Sequence, residues 1–95
     1  ICKVNTQGDG NFVLYNSSGQ PVWSSNTTGK GVPPYNTVMQ SDGNLVLYDS
    51  TNTALWSSNT GGQSNGPYNL VMQTDCNLVI QDKNNNPIWS TNTGN

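Results

Sequence analysis

Gln7, Asp9, Asn11, Val13 and Tyr15 stand at alternate positions in "QGDGNFVLY", and the same residue types return as Gln40, Asp42, Asn44, Val46 and Tyr48 in "QSDGNLVLY". A third copy, "QTDCNLVIQ", keeps Gln73, Asp75, Asn77 and Val79 but ends on Gln81. Each set offers a carboxylate and two amides, and the first two add a phenol. These groups accept hydrogen bonds from hydroxyls or donate to them, while valine supplies an apolar spot. The inventory suits a neutral, hydroxyl-rich ligand with polar hydroxyls and an apolar C–H face. A plainer reading is structural: Asp-Gly favours a tight hairpin, and Gln and Asn can cap the bend. Repetition serves both readings, because turn residues repeat as well.

Two other chemistries fit poorly. A calcium site gathers about six to eight oxygens, several of them anionic, whereas each unit brings one motif carboxylate and no glutamate. A glycosidase needs two carboxylates flanking one bond. The acids here are Asp9, Asp42, Asp49, Asp75 and Asp82; three are the single motif aspartates of separate units, and the others lie one position beyond the tyrosine slot. With no histidine, neither a Ser-His-Asp nor a Cys-His set can form. Neither enzymatic activity nor a metal or other cofactor is expected.

The elements that must position these groups follow from a 33-residue repeat. It spaces Trp23, Trp56 and Trp89, and carries "WSSNT", "WSSNT" and "WSTNT" behind the three motifs. Within a unit, "NTVMQ" (36–40), "NLVLYD" (44–49) and "ALWSSN" (54–59) are short, rich in β-branched and aromatic residues, and bounded by Asn, Asp, Gly, Ser and Thr. They read as strands. No window holds the apolar period of an ordinary helix. The fold expected is all-β: three antiparallel sheets of three or four strands about a pseudo-threefold axis, since one such sheet cannot bury its apolar face alone. Phe12/Leu14, Leu45/Leu47 and Leu78/Ile80 should point inward, with Trp23, Trp56 and Trp89 assigned to the core. A single domain over 1–95 is expected, with units of about 2–30, 31–63 and 64–95.

Charged residues make up only 8% of the chain and the net charge is −2, so neither a nucleic-acid footprint nor a cationic membrane-binding face is present. No apolar run approaches the roughly 18 residues of a bilayer span, and Ile1 is not preceded by a leader, so membrane insertion is not expected. Cys2 occupies the slot of Tyr35 and Tyr68, and Cys76 that of Gly10 and Gly43. In a closed ring the third unit neighbours the first, so a Cys2–Cys76 disulfide is expected; zinc or thiol chemistry would lack the further ligands or the base it requires. A disulfide implies an oxidising compartment, and the sequons Asn16-Ser17-Ser18 and Asn26-Thr27-Thr28 point the same way, to a secreted or secretory-pathway protein. Because Cys76 fills a glycine slot, the bend is not expected to require a positive φ.

The two full motifs match the Q-x-D-x-N-x-V-x-Y of the monocot mannose-binding lectins, the snowdrop bulb lectin family, and the resemblance covers nearly the whole chain. It implies a β-prism II fold. It also implies two sites for α-D-mannose, at Gln7, Asp9, Asn11, Val13 and Tyr15 and at Gln40, Asp42, Asn44, Val46 and Tyr48. There the polar groups would bond sugar hydroxyls and valine would pack on ring carbons. The third set, Gln73, Asp75, Asn77, Val79 and Gln81, lacks the phenol and is expected to be weak or empty. The partners implied are high-mannose glycans and glycoproteins, in a role in defence, and a homodimer by strand exchange. The order of the cysteines is rotated relative to the family, which suggests circular permutation or a cut within the ring. A competing expectation is a protein-interaction or storage module with inactive sugar sites, which the intact Tyr15 and Tyr48 oppose.

Overall fold

The computed structural model describes residues 2–94. Its strands are β1 (Lys3–Thr6), β2 (Phe12–Tyr15), β3 (Pro21–Ser24), β4 (Asn36–Met39), β5 (Leu45–Tyr48), β6 (Ala54–Ser57), β7 (Asn69–Met72), β8 (Leu78–Gln81) and β9 (Pro87–Ser90). They form three antiparallel three-stranded sheets, ordered β1-β2-β3, β4-β5-β6 and β7-β8-β9, so each sheet is built from consecutive strands of one unit. The strands are shorter than the sequence suggests: 36–39, 45–48 and 54–57 in the second unit. Polar side chains cut them off. The Asp49 carboxylate accepts the amides of Thr51 and Thr53, and the Asn44 side chain accepts that of Thr60, and these bonds turn the chain out of the ladder.

Alternation along each central strand divides its residues between two faces. Leu14, Leu47 and Ile80 are fully buried, with Phe12, Leu45 and Leu78 beside them. Register sets Trp23 opposite Leu14, Trp56 opposite Leu47 and Trp89 opposite Ile80, on the same inner face. The three indoles meet edge to face, with centroids 5.3, 5.6 and 5.8 Å apart. Such contacts add about 0.5–1.5 kcal/mol each beyond burial. The Trp side chains are half-buried, so they pack against the aliphatic core without being enclosed by it.

Cys2 and Cys76 are disulfide-bonded, with Cα atoms 5.5 Å apart and a sequence separation of 74. Closing a loop of that length stabilises by about 4 kcal/mol in the chain-entropy account. The bend beside this bond corrects one expectation. Gly10, Gly43 and Cys76 all adopt positive φ, at 95°, 92° and 73°. The turn does demand left-handed backbone, and Cys76 adopts it despite its Cβ, at a cost of about 1–2 kcal/mol. Its disulfide and its amide bond to the Gln73 carbonyl, at 3.1 Å, hold it there. A Cβ on Gly10 would lie 3.0 Å from both the Tyr35 ring and the Thr27 carbonyl, and one on Gly43 would lie 2.7 Å from the Gln63 side chain, whereas at Cys76 the neighbouring slot holds Cys2, its disulfide partner.

Candidate functional site

Each motif is spread over a bend and the strand that follows it. The Gln40 amide bonds the Asn44 carbonyl at 2.9 Å and the Gly43 amide bonds the Gln40 carbonyl at 3.2 Å, folding Gln40–Asn44 back to start β5. Alternation then puts Asn44, Val46 and Tyr48 on the face opposite the buried leucines. Across the ladder Val46 pairs with Val38 on β4 and Ser57 on β6. Gln40, just past the end of β4, reaches the same face and its Nε2 donates to the Tyr48 hydroxyl. Unit 1 repeats this arrangement with Asn5 and Ser24 flanking Val13, and with Gln7 Nε2 donating to the Tyr15 hydroxyl.

The carboxylate and the asparagine amide are each tied at one end. Asp42 Oδ1 accepts the Asn44 amide at 3.0 Å, and Asp9 Oδ1 accepts the Asn11 amide at the same distance. Asn44 Oδ1 accepts the Ser58 hydroxyl and the Thr60 amide, both at 3.2 Å, and Asn11 Oδ1 accepts the Ser25 hydroxyl and the Thr27 amide. These bonds fix the side chains and turn Asp Oδ2 and Asn Nδ2 to other partners. Each set therefore presents an acceptor and a donor side by side, with a hydroxyl from tyrosine. Val13 and Val46 are only 3% exposed, so they lie beneath the polar side chains of their own sets. A surface hollow of about 390 Å³, lined by Ala54, Leu55, Trp56, Ser57 and Asn59, borders unit 2 through Ser57.

Unit 3 is built the same way as far as its residues allow. Asp75 Oδ1 accepts the Asn77 amide at 3.0 Å, and Asn77 Oδ1 accepts the Thr93 amide at 3.2 Å. Val79 lies at 2% exposure, between Val71 and Ser90. Gln81 occupies the tyrosine slot opposite Asn69, and the Gln-to-Tyr bond of the other units has no counterpart there.

Two sets of functional residues are missing from the sequence reading. Ser25 and Thr27, Ser58 and Thr60, and Thr91 and Thr93 lie in the recurrent "WS[ST]NT" and brace the motif asparagines from behind. Their recurrence in step with the motif was the available signal. Asp49 and Asp82 are buried turn caps that also clamp the segments joining the units. Asp49 Oδ2 accepts the Val32 amide at 3.1 Å, and Asp82 Oδ2 accepts Asn65 Nδ2 at 2.8 Å. The Thr51 hydroxyl, with help from the amides of Thr53, Val32 and Thr51, outweighs desolvation and holds Asp49 down at a pKa of about 2. Asp82 is lowered mainly by the Asn86 amide and then by Asn65. Among the described residues no three His, Cys, Asp or Glu side chains converge.

Three sheets closing on a shared core, each presenting one outward polar set, define a β-prism II protein of the lectin class. No protein-family model matches the chain and no curated protein matches it. Solved structures do. A monomeric monocot mannose-binding lectin from Gastrodia elata is 44% identical, with a TM-score of 0.88 over 97% of this chain and 80% of its own. A Polygonatum cyrtonema lectin complexed with monomannoside is 42% identical, with a TM-score of 0.77 over 98% of this chain and 79% of its own. The mannose-specific agglutinin of snowdrop (Galanthus nivalis) bulbs, complexed with methyl-α-D-mannoside, is 39% identical, with a TM-score of 0.76 over 97% and 79%. The chain belongs to the monocot mannose-binding lectin family, and it is a lectin and not an enzyme.

Proposed function

We propose that the chain binds terminal α-D-mannose of high-mannose glycans through Gln7, Asp9, Asn11, Val13 and Tyr15 and through Gln40, Asp42, Asn44, Val46 and Tyr48. The observation that carries this reading is the half-tied state of Asp and Asn. One oxygen of each is engaged within the unit, so the remaining carboxylate oxygen and amide nitrogen are oriented before a ligand arrives. A sugar hydroxyl can donate to the carboxylate while a neighbouring one accepts from the amide, with tyrosine as a further partner and valine beneath the ring carbons. The mannoside complexes of the snowdrop and Polygonatum lectins support the choice of sugar.

Such a shallow site is weak, on the order of millimolar or about −4 kcal/mol, because few buried groups offset the cost of ordering a ligand. Two sites on one rigid body raise avidity on a multivalent glycan surface by roughly 10² to 10⁴. A secreted defence protein that engages microbial or viral glycans is the role that fits this economy. The third set, ending on Gln81, contributes little. The test is retention on an immobilised high-mannose glycoprotein and elution with methyl α-mannoside. The wild type should be retained, and the folded Asp9→Ala/Asp42→Ala double variant should pass through; retention of that variant would misplace the sites.

A further inference from the structure

Two glycines carry no side chain for a reason that lies in the motif. Gly61 does not adopt a left-handed φ, unlike its neighbour Gly62 at +84°, so its backbone alone would accept any residue. Yet a Cβ on Gly61 would stand 3.0 Å from Asp42 Oδ2, 3.4 Å from Asn44 Cβ and 3.6 Å from Asn44 Cγ. Gly94 repeats the contact, with a Cβ falling 2.7 Å from Asp75 Oδ2 and 3.4 Å from Asn77 Cβ. By contrast, a Cβ on Gly8, Gly19, Gly29 or Gly62 would meet open space. The atom that a side chain at Gly61 or Gly94 would crowd is Oδ2 of the motif aspartate, which would have to shift to admit it.

Unit 1 breaks the pattern, because Thr28 fills this slot. Its loop runs differently. The Gly29 amide bonds the Asp9 carbonyl at 2.7 Å and the Lys30 amide bonds the Thr27 carbonyl at 3.1 Å. In unit 2 the bond to the Asp42 carbonyl comes from Gln63, in the Lys30 slot, at 2.9 Å. We propose that Gly61 is a positioning residue that seats the Asp42 carboxylate, and that unit 2 is therefore the principal sugar site of the chain; this rests on the mannose-binding reading above. Asp42 is pinned on Oδ1 by the Asn44 amide, as Asp9 is by Asn11, but its Oδ2 faces the bare Gly61 backbone, where no side chain crowds the oxygen left for a ligand. Unit 3 has Gly94 but lacks the tyrosine, and unit 1 has Tyr15 but carries Thr28. Unit 2 alone combines glycine and tyrosine.

The experiment is a titration of the isotope-labelled full chain with methyl α-mannoside followed by NMR. The Asn11 and Asn44 amides serve as separate reporters, since each donates to the aspartate of its own site. The wild type should show the smaller Kd at Asn44. Gly61→Thr should weaken that site about tenfold, the loss of roughly one hydrogen bond to a charged group. Gly61→Ala should weaken it less, with site 1 and the Tm unchanged in both variants. Thr28→Gly should tighten site 1. Without sugar, Gly61→Thr should shift the Asn44 amide resonance, because the oxygen it bonds is displaced. Wild-type affinity at site 2 together with an unmoved Asn44 amide in Gly61→Thr would overturn the inference, as would a tighter site 1 in the wild type. If no mannoside response occurs in any variant, the sugar reading fails, and the sugar-free Asn44 shift still decides whether Gly61 positions Asp42.

Discussion

Asn44 shows why the residues of this site do not act singly. Its side-chain oxygen takes the Ser58 hydroxyl and the Thr60 amide, and its backbone amide fixes Asp42, so one residue braces the loop behind it and the carboxylate beside it. Replacing it would disturb fold and binding together, whereas Asp42 and Tyr48 stand further out, and changes there read the site more cleanly. The tyrosine gives the sharpest comparison, because among its five motif residues unit 3 differs from the others only at Gln81, and Asp75 and Asn77 make the same backbone bonds as Asp42 and Asn44. Restoring the phenol should restore function there. Gln81→Tyr is expected to raise the stoichiometry of methyl α-mannoside from two to three equivalents in calorimetry, and an unchanged value of two would mean that Tyr15 and Tyr48 are not what completes a site.

At the scale of the element, the two-residue alternation of each central strand is what separates core from site, and this much was legible from residue types. "LVLY" with its Trp-bearing partner strand gives an inner column of leucine and indole and an outer column of valine and serine. The strand ends were not legible, because they depend on side chains that compete with the ladder for backbone amides. The left-handed bend escaped for a related reason: a cysteine in a glycine slot suggested an ordinary backbone, but Cys76 is held at positive φ by its bond to Cys2. Asp49 and Asp82 escaped because a carboxylate just past a strand gives no sign that it will be buried. Each clamps the segment leading into its own unit, and each has its pKa lowered by the bonds it accepts. The folded chain thus binds protons at these groups less readily than the unfolded chain, whose aspartates titrate near about 3.9. Their contribution is complete above that value and lost as the pH falls through the folded pKa, about 2 for Asp49. The Tm of the wild type should drop between about pH 4 and 2. The Asp49→Asn/Asp82→Asn variant should start lower at neutral pH and fall less steeply across that window in thermal denaturation; a parallel fall would place the acid sensitivity elsewhere.

The whole molecule is a ring closed by chemistry of two kinds. At one junction Tyr35 lies over Gly10 and its hydroxyl donates to the Lys30 carbonyl at 2.8 Å; at the junction of the third unit with the first, the Cys2–Cys76 bond takes that place. Substituting a covalent link for an aromatic cover at the equivalent position keeps the three sheets on one core, and with them the fixed spacing of the outward sets. The threefold frame was readable from the 33-residue spacing of tryptophan and glutamine, since no single sheet of this length buries its own apolar face. The inequality of the three sets was readable only in part: Gln81 announces itself in the sequence, whereas the meaning of Thr28 against Gly61 needs the distance from a missing Cβ to Asp42. The account as a whole rests on sugar binding at two of three similar places. Calorimetric titration of the full wild-type chain with methyl α-mannoside up to tens of millimolar tests it most directly. Two weak equivalents per chain are predicted, falling to one in either Asp9→Ala or Asp42→Ala, whereas no heat of binding, or two equivalents retained in both variants, would contradict it.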